Sequence, residues 1–138
     1  MKFVLKDAFL EVDNTDLSNF ASTVTVGSPA DEVEVTGFGG EYREFAQGLK
    51  DGTITAAFFQ SFAAGETHSV LGPLHESGDP FPLSIRPFST PVATTNPQWD
   101  MTAKLFDYSP LSGGVGEAAT TDVSFRNASQ DGIVESTS

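Results

Sequence analysis

Apolar and polar residues alternate with a period of two along most of this chain, the pattern of strands that bury one face. Phe3 and Leu5 alternate with Lys2, Val4 and Lys6, in a segment that continues loosely to Val12. Val24 and Val26 alternate with Thr23 and Thr25. Val33 and Val35 alternate with Glu32, Glu34 and Thr36, an apolar-in, acidic-out reading. Ile54, Ala56, Phe58 and Phe62 share one face of Thr53 to Phe62. In the second half Phe81, Leu83 and Ile85 alternate with Ser84 and Arg86, and Trp99, Met101, Ala103 and Leu105 alternate with Asp100, Thr102 and Lys104. Val123 and Phe125 alternate with Asp122, Ser124 and Arg126, and a last short piece spans 132–135.

Turn-rich stretches separate these runs: Gly27-Ser28-Pro29, Asp51-Gly52, Ser77-Gly78-Asp79-Pro80 and Ser112-Gly113-Gly114. Short strands punctuated this way predict a mainly β chain, an antiparallel β-sandwich or barrel of about seven or eight strands. Residues 66–76 break the pattern, with Val70, Leu71 and Leu74 at helical spacing. Gly72 and Pro73 weaken that helix, so the expectation is one short or broken helix flanking the sheet. Two connections are long for hairpin turns: 37–51, with Phe38, Tyr42, Phe45 and Leu49, and 89–98, with two prolines and no charge. The tail 129–138 is polar after Val134 and is expected to fray.

With 138 residues the chain is one domain in length, 1–138, able to bury a core without staples. Cysteine is absent, which removes disulfides, thiolate metal sites and a cysteine nucleophile, and fits a reducing compartment. Nineteen acidic residues against seven basic ones give a formal charge of −12. Tight nucleic-acid binding needs clustered Lys and Arg, which are scarce here. No run of about 18 apolar residues suggests a membrane span, and charge follows too soon after Met1 for a signal peptide.

Candidate chemistry is thin. His68 and His75 lie near Glu76, but a metal site needs three or four converging ligands, and Pro73 interrupts the helix between them. Solvent-exposed or capping roles fit these histidines better. The glycine runs at 37–40 and 113–116 lack the Lys-Ser/Thr and strand-to-helix context of a phosphate loop. Paired carboxylates suffice for glycoside hydrolysis, yet the acids fall on outward strand positions. Asn127-Ala128-Ser129 is a glycosylation sequon that matters only on secretion. No Ser-His-Asp spacing is present. The reading is a structural protein, not an enzyme, with no cofactor, metal or catalytic residue. Among twelve Phe, several (Phe38, Phe45, Phe59, Phe88, Phe106) fall off the core pattern, as residues covered by a neighbouring subunit would.

Three blocks resemble the small major tail tube proteins of siphophages, especially phages of actinobacteria. These are the opening FVLKDAFLEVDNTDLSNFASTVTV with its Asp16-Leu17-Ser18, then REFAQGLKDGTITAAFFQSFAAGE, then SIRPFSTPVATTNPQWDMTAKLFDYSPLSGGVGEAATTDVSF. Together they span roughly Phe3 to Val134. The resemblance implies a tail-tube β-sandwich with a helix on its flank, six copies per ring, and stacked rings that conduct DNA to the host. It implies partners in other copies of the chain, the tape measure and the tail terminator. Double-stranded DNA would pass without specific binding, and the setting would be a virion tail assembled in bacterial cytoplasm. Within that reading the 37–51 connection is expected to contact an adjacent subunit through Phe38, Tyr42, Arg43, Phe45 and Leu49. The alternatives are another virion β-sandwich component, a tail terminator or head decoration protein, and, less well supported, a carbohydrate-binding module. With one Trp and two Tyr, a sugar-stacking platform is poorly supplied.

Overall fold

The computed structural model describes residues 2–138. Ten strands and one α-helix follow in the order β1 (Phe9–Val12), β2 (Thr15–Asp16), β3 (Ala21–Gly27), β4 (Ala30–Glu34), β5 (Phe45–Lys50), β6 (Thr53–Phe59), α1 (Thr67–Ser77), β7 (Phe81–Arg86), β8 (Gln98–Tyr108), β9 (Thr120–Asn127) and β10 (Val134–Ser136). All strand pairings are antiparallel. The main sheet runs β2-β1-β7-β8-β9-β6-β3, with β10 paired to the start of β8, and β4 and β5 form a separate pair.

The main sheet curls on itself. Its terminal strands β2 and β3 are joined by only Leu17 and the 3-10 turn Ser18–Phe20, a stretch reaching at most about 18 Å. Alternate residues therefore converge on one enclosed core: Leu10 and Val12, Ile54, Ala56 and Phe58, Phe81, Leu83 and Ile85, Met101, Ala103 and Leu105, Val123 and Phe125. Phe81 and Phe125 meet edge to face with ring centroids 5.9 Å apart, the arrangement that ring quadrupoles favour.

The helix packs against β8 and drives Leu71 into the core, with Val70 and Leu74 beside it. It runs unbroken through Pro73 and ends at Gly78, whose φ of 68° is the left-handed conformation of a helix stop. Thr67, fully buried at the helix start, donates its hydroxyl to the Phe59 carbonyl at 2.8 Å, tying the helix to the end of β6.

The expected sheet, its antiparallel pairing and its single helix are all present, and several local expectations are corrected. Residues 2–6 form no strand, because no neighbour pairs with them, and Phe3 and Leu5 stay exposed. Val33 and Val35 do not face the core: the strand that carries Val33 leaves the barrel. The connection 37–51 is not all loop, since Phe45–Lys50 pairs with Ala30–Glu34. Within 129–138, Val134–Ser136 pairs with Gln98–Asp100.

Candidate functional site

No group of three or more His, Asp or Glu side chains among the described residues is placed to hold a metal ion. Two surfaces stand out instead.

The first is an arm. β3 and β6 pair from Ala21/Phe58 to Gly27/Thr53, and β4 and β5 then pair from Ala30/Lys50 to Glu34/Phe45. The stretch 21–59 is thus one long hairpin, half of it in the barrel and half free. The bend falls at Ser28-Pro29 opposite Asp51-Gly52, where the Asp51 N–H donates to the Pro29 carbonyl at 2.8 Å. Gly52 is buried, and a Cβ there would stand 3.1 Å from Ile133 Cγ1 and 3.3 Å from Met101 Sδ, so a larger residue would push these side chains aside by a few tenths of an ångström. Arg126 on β9 clasps the Asp51 carboxylate at 2.8 Å and braces the base. Further out, a Cβ on Gly48 would meet Val33 Cγ2 at 3.1 Å across the hairpin.

All five sequence-predicted contact residues lie on this arm. Phe38 (112% exposed) and Tyr42 (87%) occupy its tip. Phe45 sits directly opposite Glu34, and Leu49 (82% exposed) lies where the β4–β5 register shifts between Ala30 and Glu32. Arg43 reaches Glu34 loosely, at 3.9 Å. Apolar residues this exposed, on a two-stranded element with no core of its own, leave much of their surface unburied.

The second surface is the outer face of β3-β6-β9-β8. Cross-strand register sets its side chains in rows: Thr23, Ala57 and Asp122, then Thr25, Thr55, Ser124 and Asp107, then Thr53, Arg126 and Lys104. Small and hydroxylated side chains dominate, and a shallow groove of about 300 Å³ lies around Thr55 and Ser124. With Asp51 closing on Arg126, the face presents three carboxylates against two cations.

Three arrangements were not evident as sites from sequence. Asn96, 4% exposed, staples the 88–96 loop. Its Nδ2 donates to the carbonyls of Thr90 (2.8 Å), Phe88 (3.2 Å) and Pro91 (3.2 Å), while its Oδ1 accepts from the Phe88 N–H at 3.1 Å. Tyr108 Oη lies 2.7 Å from His68 Nδ1 and accepts from Gln60 Nε2 at 3.1 Å, joining helix, strand and loop. His75 is a further neighbour of the Tyr108 ring. In Asp16-Leu17-Ser18, the Leu17 side chain is fully buried, Asp16 accepts from the Ser18 N–H at 2.9 Å, and Ser18 Oγ accepts from the Leu10 N–H at 2.9 Å. That order suits a chain reversal, a polar-apolar-polar triplet with no catalytic content.

The geometry is that of a filled barrel carrying a free arm with exposed apolar side chains. The comparisons place that fold among solved structures. A chain in the virion of a native gene transfer agent particle superposes with a TM-score of 0.76 at 13% identity, covering 98% of this chain and 99% of the other. The SPP1 tail tube gives 0.72 at 12% identity, over 96% of this chain and 76% of the other. Hcp1 from Flavobacterium johnsoniae gives 0.62 at 12%, over 96% and 97%. No protein-family model and no curated protein sequence matches the chain. The property shared with these structures is the fold.

Proposed function

We propose that this chain is the major subunit of a phage-type tail tube, a virion structural protein whose copies form six-membered rings that stack around a channel for double-stranded DNA. The observation that carries this reading is the end-to-end match of the whole fold, helix and arm included, to a chain of a gene transfer agent virion. Another match, the tail of an empty gene transfer agent particle, has C6 symmetry, which favours rings of six. The sequence blocks described above favour the siphophage type, with the tape measure and tail terminator as partners and assembly in the host cytoplasm.

The physics is consistent with such a ring. If each of six copies contributes four strands spaced ~4.8 Å and tilted about 45°, the closed barrel is roughly 50 Å across at the backbone. Side chains reduce this to about 40 Å, wide enough for a duplex. In this reading β3-β6-β9-β8 is the wall. Its hydroxyl-rich surface offers no cation cluster to grip phosphate, and Arg126 is already engaged by Asp51. Six chains carry 6 × −12 = −72 formal charges, an acidic environment along which DNA slides.

The arm is the contact with the adjacent subunit or ring. Deleting 38–45 should leave a folded monomer with its thermal transition intact and abolish tubes in negative-stain microscopy; normal tubes from that variant would refute the arm's role. A second reading, a tube terminator, is favoured by the match to an extracellular contractile injection system's sheath/tube terminator, with a TM-score of 0.75. Purified protein that forms single rings and never elongates would select it over the tube subunit.

A further inference from the structure

The seven cations of the chain are unevenly placed. Lys2, Lys6 and Arg86 fall on one surface, where residues 2–9 lie along the end of β7. Phe3 rests on Phe88 with ring centroids 5.3 Å apart, Asp7 bridges to Phe88, and Phe9 pairs with Arg86. The Arg86 guanidinium stands 4.0 Å from the centroid of the Phe9 ring and donates to Gln98 Oε1 at 2.7 Å, so packing holds it in place. Among the described residues, none of these three cations has a carboxylate within ion-pair distance. Residues 2–9 and 86–88 set three cations against one acid, Asp7, and expose Phe3 and Val4 beside them. The arm is the reverse. Residues 30–50 set five acids against two cations. Glu32 lies opposite Gln47 and Glu34 opposite Phe45, so both carboxylates share one face of the arm with an exposed phenyl ring. Of the two cations left, Arg126 is held by Asp51 and Lys104 is its cross-strand neighbour on the wall.

We propose that the Glu32, Glu34 and Phe45 face of one copy's arm docks on the cationic patch of Lys2, Lys6 and Arg86 in a second copy, with Phe3 and Val4 covering the Phe45 ring. The inference rests on the tube reading and names where the arm lands. Charge selects the occupant: the patch is the net-positive part of a chain at −12, and every copy carries the acidic face that complements it. Arm and patch are different surfaces, so the contact is head-to-tail. Each copy gives its arm to one neighbour and its patch to another, which propagates an assembly instead of closing a dimer. The patch adjoins β1 and β7, outside β3-β6-β9-β8, so pairing the wall strands around a ring leaves it free. Burial of the exposed rings supplies affinity, and the opposed charges fix register and orientation against the general repulsion between copies. Arg43, the arm's own cation nearest Glu34, stands off at 3.9 Å and leaves that carboxylate open to a partner.

Charge reversal and rescue test the contact. Lys2→Glu with Lys6→Glu takes the formal charge from −12 to −16 (−12 − 4). Two further pairs each bring it back to −12: Glu32→Lys with Glu34→Lys on the arm, or Glu76→Lys with Asp79→Lys at the end of α1. The lysine reversal should keep the parent's thermal transition and lose most of its tube yield in sedimentation and negative-stain microscopy. The arm pair should restore that yield and the α1 pair should not. Undiminished yield from the lysine reversal, rescue by neither pair, or equal rescue by both would overturn the proposal. Because reversal beside Phe3 can disturb folding, the unaltered protein is measured alongside. Its assembled form is coupled with a zero-length carbodiimide, and the linked peptides are read by mass spectrometry. Lys2 or Lys6 joined to Glu32 or Glu34 within covalent multimers is expected. Multimers without that link, or that link confined to monomer, would overturn the proposal. A parent protein that stays monomeric at every concentration would overturn the tube reading and this inference with it. Parent tubes that fail either test would overturn this inference alone.

Discussion

At the scale of single residues, stability rests on a few buried polar decisions. Asn96 satisfies several backbone groups of one loop from a position with almost no solvent. Removing its amide leaves them to find water they cannot reach. Asn96→Ala should therefore destabilise by about 2–3 kcal/mol in urea unfolding. Asn96→Asp should do no better, since an anion would replace the donors that face three carbonyls. Thr121 is the reverse case. Its hydroxyl is buried with no hydrogen-bond partner, so the near-isosteric Thr121→Val should raise stability by about 1 kcal/mol, read as a higher thermal midpoint. Neither effect could be read from the sequence. Asn96 looks like any polar loop residue, and Thr121, though it shares the inward face of β9 with Val123 and Phe125, does not reveal in sequence that its hydroxyl lacks a partner.

At the scale of elements, the helix shows local propensity and packing in conflict. Pro73 sits inside α1, exposed, and denies the Ser69 carbonyl its usual partner. Pro73→Ala should add about 1–2 kcal/mol, less than the full helix-propensity difference because the unfolded chain also gains freedom. Gly72→Ala, one residue away, should give no such gain. Its Cβ would stand 3.0 Å from the His68 ring, which Tyr108 holds in place. Thermal melts of the two variants side by side check this contrast. The body strands were legible in sequence because alternation coincides with core and solvent. It failed at Val33 and at Phe3 for one reason. Period-two patterning reports that a strand has two unlike faces, and cannot say whether the apolar face meets its own core, a neighbour, or nothing within the chain. Phe38, Tyr42 and Phe45 stood out in sequence because they depart from the core pattern, but the pairing of Phe45 with Glu34 depends on a register the sequence does not display.

At the scale of the whole molecule, the proposed assembly sets charge, which would oppose it, against exposed apolar surface, which would drive it. A chain at −12 repels its copies, and that repulsion reaches about 30 Å at 0.01 M ionic strength but only about 8 Å near 0.15 M. Raising salt across that range should lower the critical concentration for tube formation, followed by light scattering. Lowering pH toward the isoelectric point near 4.2 should act in the same direction. A protein whose association weakens with salt would instead be held by ion pairs, and the apolar arm would not be the dominant interface.

The bent hairpin has a consequence for how the chain reaches its fold. Pairing Gly27 with Thr53 directly would require closing a loop of 25 residues, an entropic cost that rises with loop length. The arm supplies a route around it. Glu34 and Phe45 are separated by only ten residues, and pairing that starts there can proceed toward Ala30 and Lys50, delivering β3 and β6 to each other almost in register. The element that the chain leaves exposed is then also its shortest path to closure, a zipper whose starting end is the most solvent-exposed part of the fold.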